Sequence, residues 1–163
     1  MPVRRAHWSA LFAATLMLPA FALAHDVRFE DLRIAHPFAT PTPPGAPNGA
    51  AYLDITVEGD GAATLVGTSS PVSRAVEMHD MSMDDGNMRM RKLDEIRIEP
   101  GDTLTMRPGG GSHLMLLGLQ EALRVGDSFP LTLEFAERGE IEVEVWVQEA
   151  SDGSEAADAH HHD

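Results

Sequence analysis

Two clusters of histidine and methionine stand out in a 163-residue chain that contains no cysteine. One runs Met78-His79-Asp80-Met81-Ser82-Met83 and continues at Met88-Arg89-Met90; the other is His113-Leu114-Met115. Five of the nine methionines fall between residues 78 and 90, among Asp80, Ser82, Asp84, Asp85 and Asn87, so a core-filling role explains them poorly. Thioether sulfur is soft, neutral and not protonated in water. Together with imidazole it suits Cu(I) far better than zinc, magnesium or calcium. Met78 and Met106 read instead as core methionines, and His36 as a structural histidine.

Such a site needs strands to aim it. Residues two apart on a strand share a face and lie roughly 6.6–7 Å apart. His113 and Met115 therefore point one way together, as do Met88 and Met90. Between the clusters, Glu99-Pro100-Gly101-Asp102 and Pro108-Gly109-Gly110-Gly111 are turn sequences that would return residue 113 towards residues 79–90.

Short alternating segments punctuated by Gly and Pro run through the chain. Strands are expected at 27–34, 51–57, 63–68, 73–78, 88–93, 103–106 and 113–117. Phe129, Leu131, Leu133 and Phe135 keep strict period two, and so do Ile141, Val143, Val145 and Val147, with Arg138-Gly139 as the turn between them. Only Leu119 to Leu123 offers a helical turn. Many short strands with almost no helix predict an all-β fold, an antiparallel β-sandwich or Greek-key barrel. The Pro/Gly loop at 42–49 is too short to divide two domains.

The first 24 residues read as a signal peptide: Arg4 and Arg5, an apolar run from Ala10 to Phe21, then Ala22-Leu23-Ala24 before the cut. The apolar run is too short for a membrane span. With no cysteine after the cut, a lipoprotein anchor is not expected. The expected product is a periplasmic domain over residues 25–149 with an acidic, histidine-containing disordered tail at 150–163. Losing two arginines and no acid with the leader takes the formal charge from −14 to about −16, which argues against nucleic acid or an anionic membrane as partner.

The segment His79…Met90…His113-Leu114-Met115 resembles the motif of the periplasmic PCuAC-type copper chaperones: a His, ten residues, a Met, about twenty-one residues, then His-x-Met. Ten residues separate His79 from Met90; twenty-two separate Met90 from His113, and the Gly109-Gly110-Gly111 turn is a natural place for the extra one. Ala35-His36-Pro37-Phe38, Pro43-Pro44-Gly45-Ala46, Met83-Asp84-Asp85-Gly86 and Leu116-Leu117-Gly118-Leu119 extend the likeness over most of residues 25–148, although Phe38 stands where the family suggests Trp. The resemblance implies a cupredoxin-like β-sandwich that carries Cu(I) on His79, Met90, His113 and Met115, with Met81, Met83 and Met88 as near alternatives. It further implies delivery of copper to the dinuclear copper centre of cytochrome c oxidase, the partner being the oxidase copper subunit or another periplasmic copper chaperone.

Four neutral ligands leave only the single charge of the ion, which favours Cu(I) over Cu(II). A recipient bearing thiolates could draw the ion away by ligand exchange. His25, freed at the cut with its amine, and His160, His161 and His162 could add a nitrogen-rich Cu(II) site. Copper storage or detoxification would use the same residues without a recipient. Blue-copper electron transfer needs a Cys ligand and is excluded. No nucleophile triad, phosphate-binding glycine loop or paired-carboxylate signature marks the chain as an enzyme, and a monomer is expected.

Overall fold

The computed structural model describes residues 26–158. These form β1 (Val27–Phe29), β2 (Leu32–Ala39), β3 (Asn48–Val57), β4 (Ala63–Ser69), β5 (Ser73–Asp84), β6 (Asn87–Leu93), β7 (Ile96–Ile98), β8 (Thr103–Thr105), β9 (Gly111–Leu119), β10 (Ser128–Phe135), β11 (Gly139–Val147) and α1 (Ala150–Asp158). Hydrogen bonding runs along the path β6-β5-β9-β3-β2-β11-β10-β4-β7, with β1 added to β2 and β8 to β3. The β11–β2 pair is parallel; the remaining pairings are antiparallel. The result is the expected β-sandwich, open at its edges and cupredoxin-like.

One apolar core joins the two layers. Phe129, Leu131, Leu133 and Phe135 of β10 and Val143, Val145 and Val147 of β11 are all buried, as their period requires. Leu32, Ile34, Leu53, Ile55, Leu65, Leu114 and Leu116 complete the centre. Met78 and Met106 are buried among them, in agreement with the sequence reading. The β10–β11 register from Ser128↔Trp146 to Phe135↔Gly139 leaves three residues in the turn, and Gly139 at φ 79° relieves the left-handed position there. Arg138 in that turn donates from Nε and Nη2 to the two Asp31 oxygens at 2.6 and 2.9 Å, tying it to the β1–β2 turn.

Three local expectations change. The strand expected at 27–34 is a hairpin, because Glu30 takes φ 53° and the chain reverses at Glu30-Asp31. No helical turn forms at 119–123. There the backbone of Gln120 bonds to Val72, and Leu123 exchanges bonds with the Thr42 hydroxyl and amide. Residues 150–158, expected to be disordered, form α1. Gly153 and Ala157 are buried, and the missing Cβ of Gly153 is what lets the helix lie against the Phe38 ring. Arg107 anchors its far end, reaching Asp158 at 3.2 Å and Asp54 at 2.7 and 2.9 Å. The leader, His25, and His160 to His162 lie outside the described residues.

Candidate metal centre

The β5–β6 hairpin sets the geometry. Its turn is Asp85-Gly86, with φ of 50° and 79°, the two positive values that a type I′ turn demands. That turn fixes Met83↔Met88, Met81↔Met90 and His79↔Lys92 as cross-strand pairs. On its other edge β5 pairs with β9, so that His79 faces His113, Glu77 faces Met115 and Met81 faces Gly111. Directly opposed residues share a face. Glu77, His79, Met81, Met83, Met88, Met90, Lys92, His113 and Met115 therefore all project from one side of three adjacent strands. The alternate residues Val76, Met78, Leu114 and Leu116 fill the core on the other side.

The two imidazoles form the centre of this array. Their ring centroids are 5.8 Å apart with planes inclined at 59°, a separation that one ion with metal–nitrogen bonds of about 2 Å can bridge. Each ring has one nitrogen tied to an oxygen that only accepts. His79 Nε2 donates to Glu77 Oε2 at 2.9 Å, and His113 Nδ1 makes a long contact of 3.4 Å to the Gly111 carbonyl. Protonating those nitrogens leaves His79 Nδ1 and His113 Nε2 with free lone pairs. His79 Nδ1 is buried without a hydrogen-bond partner, the condition of a ligand nitrogen awaiting an ion. Lys92 Nζ donates to the other Glu77 oxygen at 2.8 Å.

Electrostatics keep the donors ready. Burial lowers the basicity of His113, opposed by the Gly111 carbonyl, and the neighbouring His79 adds to the lowering. His113, only 6% exposed, is thus neutral at neutral pH and needs no deprotonation to bind. The Lys92 ammonium first, and His79 second, hold the Glu77 carboxyl below its usual range.

The remaining proposed ligands occupy neighbouring rows. Met115 lies one row from the imidazole pair on β9, beside Glu77. Met90 lies one row away on the opposite side, outside Met81, whereas Met88 is one row further out, paired with Met83 at the tip. The sheet thus separates Met90 from Met88, and it places Met81, on the same strand as His79, between Met90 and the imidazoles. Among the described residues no group of three or more His, Cys, Asp or Glu side chains is placed to hold a metal ion; on this face the donors beside the imidazoles are thioethers and the Glu77 carboxylate, whose two oxygens are already bonded to His79 and Lys92. Glu77 and Lys92 were missed from sequence. Strand parity held the signal for Glu77, which stands two residues before His79.

Comparison with known proteins follows the same lines. A family model described as "Putative lipoprotein LpqE-like" matches residues 32–147. A curated protein of Leifsonia xyli subsp. xyli (strain CTCB07), "Putative lipoprotein Lxx21020", is 34% identical over 107 residues, covering 65% of this chain. The match spans 64% of that relative's own length. Among solved structures, the copper-bound PCuAC domain from PmoF2 superposes with a TM-score of 0.65 at 26% identity, covering 77% of this chain and 98% of that domain. The solution structure of apo-DR1885 from Deinococcus radiodurans gives 0.54 at 26% identity, covering 90% and 95%. Among the described residues no helix is long and apolar enough to cross a membrane.

Proposed function

Since the chain belongs to the LpqE-like family and shares its fold with PCuAC copper domains, we propose that it is an exported copper carrier and not an enzyme. It takes up Cu(I) on His79, His113, Met115 and Met90 and hands it on intact. The observation that carries this reading is the His79–His113 pair, each ring anchored through one nitrogen and left without a partner at the other, on a face that also carries the thioethers of Met81, Met83, Met88, Met90 and Met115. The copper-bound state of the PmoF2 domain supports copper as the cargo. The word lipoprotein in both related descriptions supports export, as does the leader-like sequence of residues 1–24, and a periplasmic domain over 25–149 is part of this reading.

The site's chemistry suits delivery. Imidazole and thioether are neutral, so the loaded centre keeps the single charge of Cu(I), and no proton must move when His113 releases the ion. Half-buried Met115 and exposed Met90 let an incoming thiolate replace them one at a time. A recipient with charged soft ligands then takes the ion by exchange. The dinuclear copper site of cytochrome c oxidase is such a recipient and is the one we propose, with a monomeric donor. A storage protein would use the same ligands but would not release copper to an apo oxidase copper domain, so a transfer assay separates the two. The terminal histidines His25 and His160 to His162 are proposed as a separate Cu(II) site, tested by truncating residues 159–163.

Cu(I) competition titration against a chromogenic chelator tests the carrier site. His113→Ala/Met115→Ala should lose tight binding; unchanged affinity would remove these residues from the site.

A further inference from the structure

The β5–β6 hairpin carries more thioether than the carrier site uses. Its two faces are sorted by chemistry: one bears Asp80, Ser82, Asp84, Arg89 and Arg91, and the other bears Met81, Met83, Met88 and Met90. The polar face continues the side of β5 that turns Val76 and Met78 into the core. Methionines serving as filler would stand on that side. All four stand on the opposite one, in line with the imidazoles.

Three of the four are also left in solvent. Met83, Met88 and Met90 are 70%, 62% and 49% exposed, three of the five exposed large apolar side chains among the described residues. Such a concentration on one hairpin marks a functional patch. Opposed residues on a sheet have Cβ atoms about 4.5–5.5 Å apart, and successive rows lie about 6.6–7 Å apart. Flexible thioether arms from Met83, Met88 and Met81 can therefore close on one ion. No carboxylate shares that face of the tip, so a hard divalent cation finds no ligand there, while a soft monovalent ion finds three.

We propose that Met81, Met83 and Met88 form a second Cu(I) site at the tip of the β5–β6 hairpin, weaker than the imidazole site and first to meet incoming copper. Met90, opposite Met81 and one row from His79, is within reach of both sites. An ion captured at the tip passes inward by exchanging thioethers for imidazole, with no change of oxidation state. The identity of the ion rests on the copper reading above, but the site itself does not depend on His79 or His113.

Anaerobic titration of the full chain with Cu(I), against two chromogenic chelators of different affinity, tests this. The wild type should hold two equivalents. Met83→Leu/Met88→Leu, which keeps apolar volume and removes two sulfurs, should hold one, with its tight affinity within about twofold of wild type. A single equivalent in the wild type, or two in that variant, would overturn the tip site. In His79→Ala/His113→Ala the tight equivalent should vanish and the weak one remain; a surviving tight equivalent would overturn the carrier site instead. With Ag(I) as a redox-inert probe, the second equivalent should move the methyl NMR signals of Met81, Met83 and Met88. Signals that stay fixed would identify the patch as something other than a metal site.

Discussion

The β10–β11 and β5–β6 hairpins are built alike and used oppositely. Both are antiparallel, and both have a glycine with positive φ at the turn, Gly139 and Gly86. In β10–β11 the alternation sends phenylalanine, leucine and valine into the core and glutamate outward. Beyond Met78 in β5–β6 the methionines all point away from the core, while Asp80, Asp84, Arg89 and Arg91 take the other side. Sheet parity is therefore a neutral device here: the side that meets the core makes stability, and the side that meets solvent makes a donor array. Because the two faces of β5 share a backbone, the imidazoles stand on a platform held by Val76, Met78, Leu114 and Leu116 beneath them.

That contrast can be broken at either hairpin. Phe135→Ala in β10 should cost about 3–5 kcal/mol in urea unfolding, as burying and packing are lost together, while folded protein keeps its copper affinity. The second largest effect belongs to the other hairpin. Glu77→Gln keeps the size but weakens the acceptor that fixes the His79 tautomer, and Cu(I) affinity should fall about 10–100-fold with little change in stability. Equal affinity in a competition titration would show that His79 needs no such partner.

Acid should act on the two regions in sequence. The folded-state basicity of His113 is lowered by burial, so the unfolded chain takes up that proton first; the stability it lends is present above about pH 6.5 and lost below it. Asp31 has its carboxyl lowered chiefly by the Arg138 hydrogen bonds. Its contribution is present above the ordinary carboxylate value near 3.9 and is lost as pH falls through the lower folded value. Histidine NMR on the apo protein should give a His113 midpoint below 6.5, and Asp31→Asn should flatten only the most acidic part of the stability curve. The smallest effect is expected for Met83→Leu, within about 0.5 kcal/mol on unfolding, since the side chain is already in solvent.

Much of this was legible in sequence where a local rule governs. Period two marked β10 and β11 because every second residue is large and apolar, and His-x-Met at 113–115 fixed two donors on one face. What escaped depends on distant partners or on single backbone angles. The strand expected at 73–78 stops at Met78, yet pairing with both β6 and β9 carries β5 to Asp84, with Met81 and Met83 continuing the alternation on the face away from the core. The Glu30 reversal rests on one positive φ. The helix at 150–158 has almost no apolar face and owes its place to Phe38 and Arg107, far off in the chain. The direct opposition of His79 and His113 likewise comes from the non-local β5–β9 register, which motif spacing suggested but parity on either strand alone could not supply.

X-ray absorption at the copper edge of the protein loaded with one equivalent of Cu(I) tests the central claim most directly. The account predicts a mixed shell of two imidazole nitrogens and two thioether sulfurs, which in His113→Ala/Met115→Ala loses nitrogen and becomes mainly sulfur as the ion falls back on the hairpin thioethers. A shell of nitrogen and oxygen alone, or one unchanged in that variant, would contradict it.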